Sequence, residues 1–120
     1  ACIQSITNAL ATTNISLQDK DTIFILSTTK GNIELLEQNP LDKNLSNRIA
    51  IHNTACKIAN QFKVSAKPLA ISNACISGVL AIVTAQRLLK TGRYKHAVVT
   101  GADMLSKFVI SGFQALGAMS

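Results

Sequence analysis

The 120-residue sequence is poor in the residue types that mark several classes of protein. Charged residues make up 15% of the chain and aromatic residues 4%, and there is no tryptophan. The three cysteines, Cys2, Cys56 and Cys75, form neither a CxxC pair nor a disulfide-framework spacing, which favours a reducing, cytoplasmic setting. The two histidines, His52 and His96, lack metal-ligand spacing. The sequence therefore predicts neither a disulfide-stapled domain nor a metal site.

Long apolar runs are also missing. Gln86, Arg87 and Lys90 end the longest candidate before the roughly 18 apolar residues that a membrane helix needs. The net charge is +6, but the basic residues are dispersed and few aromatic side chains could stack on bases, so no nucleic-acid partner is predicted. An acidic protein partner explains this charge equally well.

What is abundant is aliphatic sequence, since 48% of the residues are hydrophobic. That content suits one tightly packed layered domain over residues 1–120. The chain begins without Met or a signal-peptide pattern and stops without a tail, so we expect a partial domain cut from a longer protein.

Alternating short apolar runs and helical patterns predict an α/β fold with a mostly parallel sheet layered with helices. Strands are predicted at residues 22–28, 69–72 and 96–100. Helices are predicted at residues 1–10, 33–36, 46–62 and 76–89. The helix at 76–89 is apolar nearly all round in its first half, which predicts burial between layers. Residues 107–120 are interpreted as a possible short strand and a glycine-containing loop that could line a pocket.

The segment 72–78 (Ser-Asn-Ala-Cys-Ile-Ser-Gly) joins a predicted strand to the predicted helix, with Cys75 at the helix N-terminus. The unpaired N–H groups and dipole there stabilise an anion and can lower a cysteine pKa below its free value of about 8.5. Gly78 would let backbone or ligand approach closely.

Three chemistries suit such a cysteine: acyl transfer, thiol redox exchange and metal ligation. A resolving cysteine and a set of metal ligands are both missing nearby, so covalent acyl catalysis fits best. The alternative is a buried structural cysteine, which is the interpretation favoured for Cys2 and Cys56. Asp103 could cap the next turn or hold a loop, and capping is the favoured interpretation.

Four segments together resemble the β-ketoacyl-acyl carrier protein synthases of the condensing-enzyme, thiolase-like superfamily. They are 73–79 (Asn-Ala-Cys-Ile-Ser-Gly-Val), 88–92 (Leu-Leu-Lys-Thr-Gly), 97–103 (Ala-Val-Val-Thr-Gly-Ala-Asp) and 113–120 (Phe-Gln-Ala-Leu-Gly-Ala-Met-Ser). Residues 1–67 agree with that family only in the order of elements. The resemblance implies a thiolase-like fold, of which this chain would be an incomplete N-terminal half.

The resemblance also implies a reaction. Cys75 would be acylated from an acyl carrier protein thioester, and a carbanion from decarboxylated malonyl thioester would attack the acyl-enzyme. Cys75 matches the nucleophile and its own N–H one donor of the oxyanion hole, while Phe113 would line the acyl pocket. Asp103 stands where the family usually has Glu. The family commonly has Thr where Asn73 stands and Gly where Thr100 stands. These two differences bear on chain-length preference more than on chemistry.

The same resemblance implies partners. An acyl carrier protein would deliver substrates on its phosphopantetheine, no further cofactor is expected, and strand 97–101 would pair two copies into a homodimer. The family's two catalytic histidines, its lysine and its gating phenylalanine lie in the C-terminal half, so the chain alone is expected to be inactive.

Two alternatives differ in class. A non-catalytic chain-length-type partner subunit of a heterodimer would keep the fold, but such subunits usually lose the nucleophile that Cys75 represents. A stand-alone α/β binding module would form a compact, self-sufficient sheet with no large exposed apolar edge.

Overall fold

The computed structural model describes residues 1–38 and 43–118, which form a parallel sheet between two layers of helix. The strands are β1 (Thr22–Ser27), β2 (Leu69–Ile71) and β3 (His96–Gly101). The helices are α1 (Cys2–Ala11), α2 (Leu35–Gln38), α3 (Leu45–Ile49), α4 (Ile51–Gln61), α5 (Ser77–Lys90) and α6 (Lys107–Ala115). The predicted α/β class is confirmed. The last two residues of the family-like motif, Met119 and Ser120, lie outside the described residues.

Strand β1 occupies the centre of the sheet, in the order β2-β1-β3, and all six of its residues are buried. Its side chains alternate between two cores because successive residues of a strand point to opposite faces. Phe24 and Leu26 pack with α1 and α4, whereas Ile23 and Ile25 pack with α5. This two-sided burial explains why the strand is a continuous apolar run and confirms the parallel sheet.

Helix α5 lies against the sheet through a stripe of small residues. Ala81 and Ala85 are buried against Ile23 and Ile25, and their small side chains allow a close helix–strand approach. The prediction that this helix is buried between two layers is wrong for the described chain, because its sheet covers only that stripe. Three large apolar side chains here are more than half exposed. They are Val79 (65%) and Ile82 (62%) within the helix, and Ile76 (54%) just before it. None of the helices within 1–38 and 43–118 is long and apolar enough to cross a membrane.

The helix predicted over 46–62 is instead two helices that meet at Ala50. Ala50 has extended backbone angles, φ −58° and ψ 119°, which interrupt the helical ladder. The Asn32 side-chain amide donates to the Arg48 carbonyl and the Thr54 hydroxyl, at 3.1 and 2.9 Å, so a residue from another segment satisfies polar groups at the break. Gly31 approaches the same junction, and a Cβ on it would lie 2.9 Å from the Ile51 side chain.

The prediction of a strand and loop over the last residues is also wrong, since residues 107–115 form helix α6. Ser106 caps this helix by accepting a hydrogen bond from the Val109 amide. The first turn is held from outside as well, because the Phe108 amide donates to the Glu37 carboxylate at 2.7 Å. A carboxylate at this position is favoured by the helix dipole.

Candidate active site

The three strands end at the same edge of the sheet. Ser27 is in register with both Ile71 and Gly101, the last residues of β2 and β3. The segments that follow the strands therefore meet there, at the edge where open parallel sheets place their ligand sites. One of these segments carries Cys75.

Cys75 is exposed and lies two positions before Ser77, the first residue of the 14-residue helix α5. The residue before it, Ala74, has φ +44°, in the left-handed region that costs a residue with a Cβ about 1–2 kcal/mol. A buried hydroxyl holds this strained turn. Ser77 Oγ accepts from the Asn73 amide at 2.8 Å and donates to the Ala74 carbonyl at 2.7 Å. The serine in the Cys-Ile-Ser-Gly motif therefore fixes the bend that presents Cys75.

Gly78 does not have the role predicted for it within the described chain. A Cβ built on Gly78 meets no atom within 4 Å, so no described residue approaches it closely. The glycine leaves the helix surface beside Cys75 open.

Cys75 faces an open groove of about 340 Å³ that also contains Phe113, so the structure brings the two predicted site residues together. The groove is mainly apolar, and four of its nine lining residues belong to α6. Its lining residues are Thr29, Lys30, Ala74, Cys75, Phe108, Val109, Gly112, Phe113 and Leu116. The predicted pocket-lining role of the last segment holds, although a helix performs it. Such a surface suits an aliphatic chain next to a thiol.

Thr29 and Lys30 were missed by the sequence reasoning. Lys30 Nζ lies 5.6 Å from the centroid of the Phe113 ring, within reach of a cation–π interaction. These residues follow β1 directly, and their position at the carboxyl end of a predicted parallel strand was the signal that could have found them.

Asp103 holds a loop and does not cap the next turn, so the favoured interpretation of this residue is corrected. Its carboxylate accepts from the Thr28 hydroxyl at 2.7 Å, the Thr29 hydroxyl at 2.7 Å and the Thr29 amide at 2.8 Å. The Lys30 amide adds a longer bond of 3.3 Å. Partial burial acts to raise the pKa of Asp103, but the bonds from Thr28 and Thr29, with the two backbone amides, outweigh it and lower the pKa.

We expect the contribution of Asp103 to stability to disappear in acid. Because its folded-state pKa lies below the unfolded value of about 3.9, the contribution is complete above that value and is lost as pH falls through the folded pKa. Urea unfolding of the wild type and Asp103→Asn should show a free-energy difference that is constant from neutral pH to about pH 5 and shrinks below about pH 4. A difference that is the same at every pH would contradict this assignment.

The other cysteines and the histidines lie elsewhere. Cys2 and Cys56 are half-buried on α1 and α4, and Cys2 packs against the core formed by Ile6 and Phe24. Cys56 Sγ lies 3.4 Å from His52 Nε2, one helical turn away. His96 is the first residue of β3, at the opposite end of the strands from Cys75. In the part of the chain that the structure describes, no three His, Cys, Asp or Glu side chains could share a metal ion.

We expect iodoacetamide to alkylate Cys75 several-fold faster than Cys2 or Cys56. Cys75 is exposed on an open groove, whereas the other two thiols are half-buried, and access limits thiol alkylation. Timed labelling of the native protein followed by peptide mass mapping gives the three rates. His52→Gln is the control for any activation of Cys56 by its neighbour. Equal, slow labelling of all three thiols would contradict an accessible Cys75.

Sequence comparison connects this site with a family of enzymes. Residues 69–111, which span β2, the Cys75 turn, α5 and β3, match the family model for 3-oxoacyl-[acyl-carrier-protein (ACP)] synthase III. A β-ketoacyl-[acyl-carrier-protein] synthase III of Oceanobacillus iheyensis is 28% identical over 100 residues, covering 82% of this chain and 27% of that protein. Enzymes of the same name from Thermosynechococcus vestitus and Geobacillus kaustophilus are 37% and 41% identical, over 49% and 46% of this chain and 18% of each relative.

Structure comparison agrees on the fold. The ishigamide ketosynthase/chain length factor superposes with a TM-score of 0.68 at 20% identity, covering 94% of this chain and 34% of that one. The likeness thus extends to the first half of the chain, where the sequence motifs are weak. The chain spans about a quarter of the longest-matching curated relative. The chain is therefore similar to enzymes named β-ketoacyl-[acyl-carrier-protein] synthase III, and this agrees with the resemblance of its motifs to the condensing enzymes.

Proposed function

We propose that the full-length protein is a β-ketoacyl-acyl carrier protein synthase, an acyltransferase that holds its acyl substrate on Cys75. The observation that supports this most directly is the position of the thiol: Cys75 is presented by a strained turn, held by Ser77, on an apolar groove. The family of its relatives supplies the reaction class.

In the proposed first step, the Cys75 thiolate attacks the carbonyl carbon of an acyl carrier protein thioester. The carbon–sulfur bond to the carrier breaks, and the phosphopantetheine thiolate leaves and takes up the proton that Cys75 has released. The Cys75 N–H would donate to the oxyanion formed during this attack. The acyl chain would lie along the groove against Phe113.

In the second step, malonyl-acyl carrier protein loses CO₂, and the resulting carbanion attacks the acyl-Cys75 carbonyl. A carbon–carbon bond forms, the bond to Cys75 breaks, and the thiolate is regenerated. Neither His52 nor His96 lines the groove, so no imidazole of the described residues is placed to assist decarboxylation. We therefore expect the chain by itself to be inactive in condensation, with the missing groups contributed by other parts of the full-length protein.

Acylation of Cys75 is the test of this proposal. The full-length protein is incubated with an acyl-acyl carrier protein, and intact-mass spectrometry should show the protein gaining one acyl group. Peptide mapping should place the group on Cys75, and neutral hydroxylamine should remove it because it is a thioester. An unmodified protein, or an acyl group on Cys2 or Cys56, would overturn the assignment.

The alternatives are less well supported. Retention of Cys75 on the groove argues against a non-catalytic chain-length-type subunit. A stand-alone binding module would bury its apolar surface, whereas Leu105 and Leu116 are 78% and 81% exposed. These exposed residues fit a chain that packs against further protein.

We propose a second copy of the protein as the partner at the β3 edge of the sheet. Among the described residues, strand β3 has β1 on one side and ends the sheet on the other. Beside it, Ala97 and Val99 line an open hollow of about 430 Å³ with Ile82, Val83 and Leu89 of α5. An unpaired edge strand flanked by apolar side chains suits pairing with another strand.

The substitution Ile82→Lys should therefore weaken the dimer. Ile82 is 62% exposed in the single chain, so lysine should cost the monomer about 0.5 kcal/mol or less while placing an unpaired charge in the interface. Analytical ultracentrifugation of the full-length protein should show the variant dissociating at concentrations where the wild type is dimeric. The exposed Gln61→Lys at the end of α4, outside this hollow, serves as a charge control, and equal masses for wild type and Ile82→Lys would contradict the interface.

A further inference from the structure

The carboxylate of Asp103 links two segments that are far apart in sequence. It follows β3, yet its hydrogen bonds reach the loop after β1, 73 to 75 residues earlier in the chain. Oδ1 accepts from the Thr28 hydroxyl and the Thr29 and Lys30 amides, and Oδ2 accepts from the Thr29 hydroxyl at 2.7 Å. Bonds to an ionised acceptor are stronger than neutral ones, so this loop is held by a single anionic anchor.

The anchored loop forms part of the Cys75 groove. Thr29 and Lys30 line it together with Cys75 and Phe113, and the Lys30 ammonium stands over the Phe113 ring. A second bond ties the same loop to the nucleophile's segment, since Ser72 Oγ donates to the Thr29 carbonyl at 3.1 Å. Asp103 itself is not among the residues that line this groove; it faces a separate cavity with Thr28, Asn32 and Thr54.

We propose that Asp103 is a positioning residue that fixes the wall formed by Thr29 and Lys30, and that this wall selects which acyl chains reach Cys75. The inference rests on the proposed acylation of Cys75 and adds a determinant of substrate choice. Because the wall and α6 line the same groove, with Lys30 Nζ 5.6 Å from the centroid of the Phe113 ring, the position of the wall sets the space left for the chain beside Phe113. A loosened wall would change the relative rates of long and short acyl chains and leave the thiol itself unaffected.

The test measures acylation of Cys75 in the full-length protein with acetyl and decanoyl thioesters. Asp103→Asn keeps the side-chain shape but replaces one of the two carboxylate oxygens by an NH₂ group, which cannot accept a hydrogen bond. The ratio of decanoyl to acetyl rates should change about tenfold, a size typical of altered hydrophobic selection, while iodoacetamide alkylation of Cys75 keeps its wild-type rate. Asp103→Glu should restore part of the ratio, and Asp19→Asn, in the turn before β1, is the matched control.

A double-mutant cycle identifies the route of the effect. Thr29→Val removes the hydroxyl that donates to Oδ2, so its effect on the ratio should not add to that of Asp103→Asn. An unchanged ratio, equal losses with both acyl chains, or additive effects would each overturn the positioning role. If the wild type forms no acyl-Cys75 at all, the proposed function fails and this inference with it, whereas an acyl adduct with an unchanged ratio overturns this inference alone.

Discussion

Cys75→Ala should abolish acyl-enzyme formation and reduce condensation to background in the full-length protein. Removing a covalent nucleophile typically costs on the order of 10⁶ in rate, because no neighbouring group can form the intermediate in its place. Cys2 and Cys56 cannot substitute, since neither lines the groove that contains Cys75. Intact-mass measurement after incubation with acyl-acyl carrier protein should show unmodified protein.

Stability is the necessary control for this substitution. Cys75 is exposed, so its replacement by alanine should change the free energy of unfolding by about 0.5 kcal/mol or less. Cys56→Ala provides the matched variant, because it also removes one thiol and should retain acylation. An acyl adduct that persists in Cys75→Ala, or one that disappears in Cys56→Ala, would contradict Cys75 as the nucleophile.

The strands and the Cys75 turn could be predicted because their signals are local. β1 is an uninterrupted apolar run of six buried residues, and two-sided burial in a parallel sheet produces such a run. The turn at Cys75 joins a short strand to a long apolar helix, a pattern that a reader of the sequence can see. The residues themselves favoured acyl transfer over redox exchange and metal ligation but left a buried structural cysteine open, and the resemblance of the flanking segments decided for acyl transfer.

The errors concern features that depend on distant residues. The helix break at Ala50 is supported by the Asn32 side chain, and α6 is anchored at its start by Glu37. Gly112 and the neighbouring small residues favoured a loop in the sequence, but the Ser106 cap and the contact with Glu37 determine a helix. No window of local sequence contains these contacts.

The role of Asp103 illustrates the same limit within the site. Its position after β3 suggested a local cap, whereas the parallel register of β1 and β3 brings it to the Thr28 loop. The meeting of Cys75 and Phe113 likewise depends on the tertiary placement of α6 beside the Cys75 turn, and it was expected only from the family resemblance. Lys30 could have been found by asking which residues follow each predicted parallel strand.

Phe24→Ala should unfold or severely destabilise the protein. Phe24 is fully buried at the centre of β1 and packs in the core with Ile6, Leu17 and Ala55. Removing a buried phenylalanine ring leaves a cavity and typically costs 3–5 kcal/mol, about a third or more of the stability of an ordinary domain. Urea unfolding of the full-length protein, followed by circular dichroism, should show a free energy of unfolding lowered by that amount, or no folded baseline at all.

Phe113→Ala is the matched substitution, because it removes the same ring from a residue that is 38% exposed on the groove. It should cost about 1 kcal/mol or less, yet it enlarges the groove beside Cys75 and should shift acylation toward longer or bulkier acyl chains. The two phenylalanines thus separate the fold from the function: Phe24 supports the strand that carries the Thr28 loop, and Phe113 shapes the space that the loop faces. If Phe113→Ala lost as much stability as Phe24→Ala, or left acyl preference unchanged, the assignment of the groove to the acyl chain would be wrong.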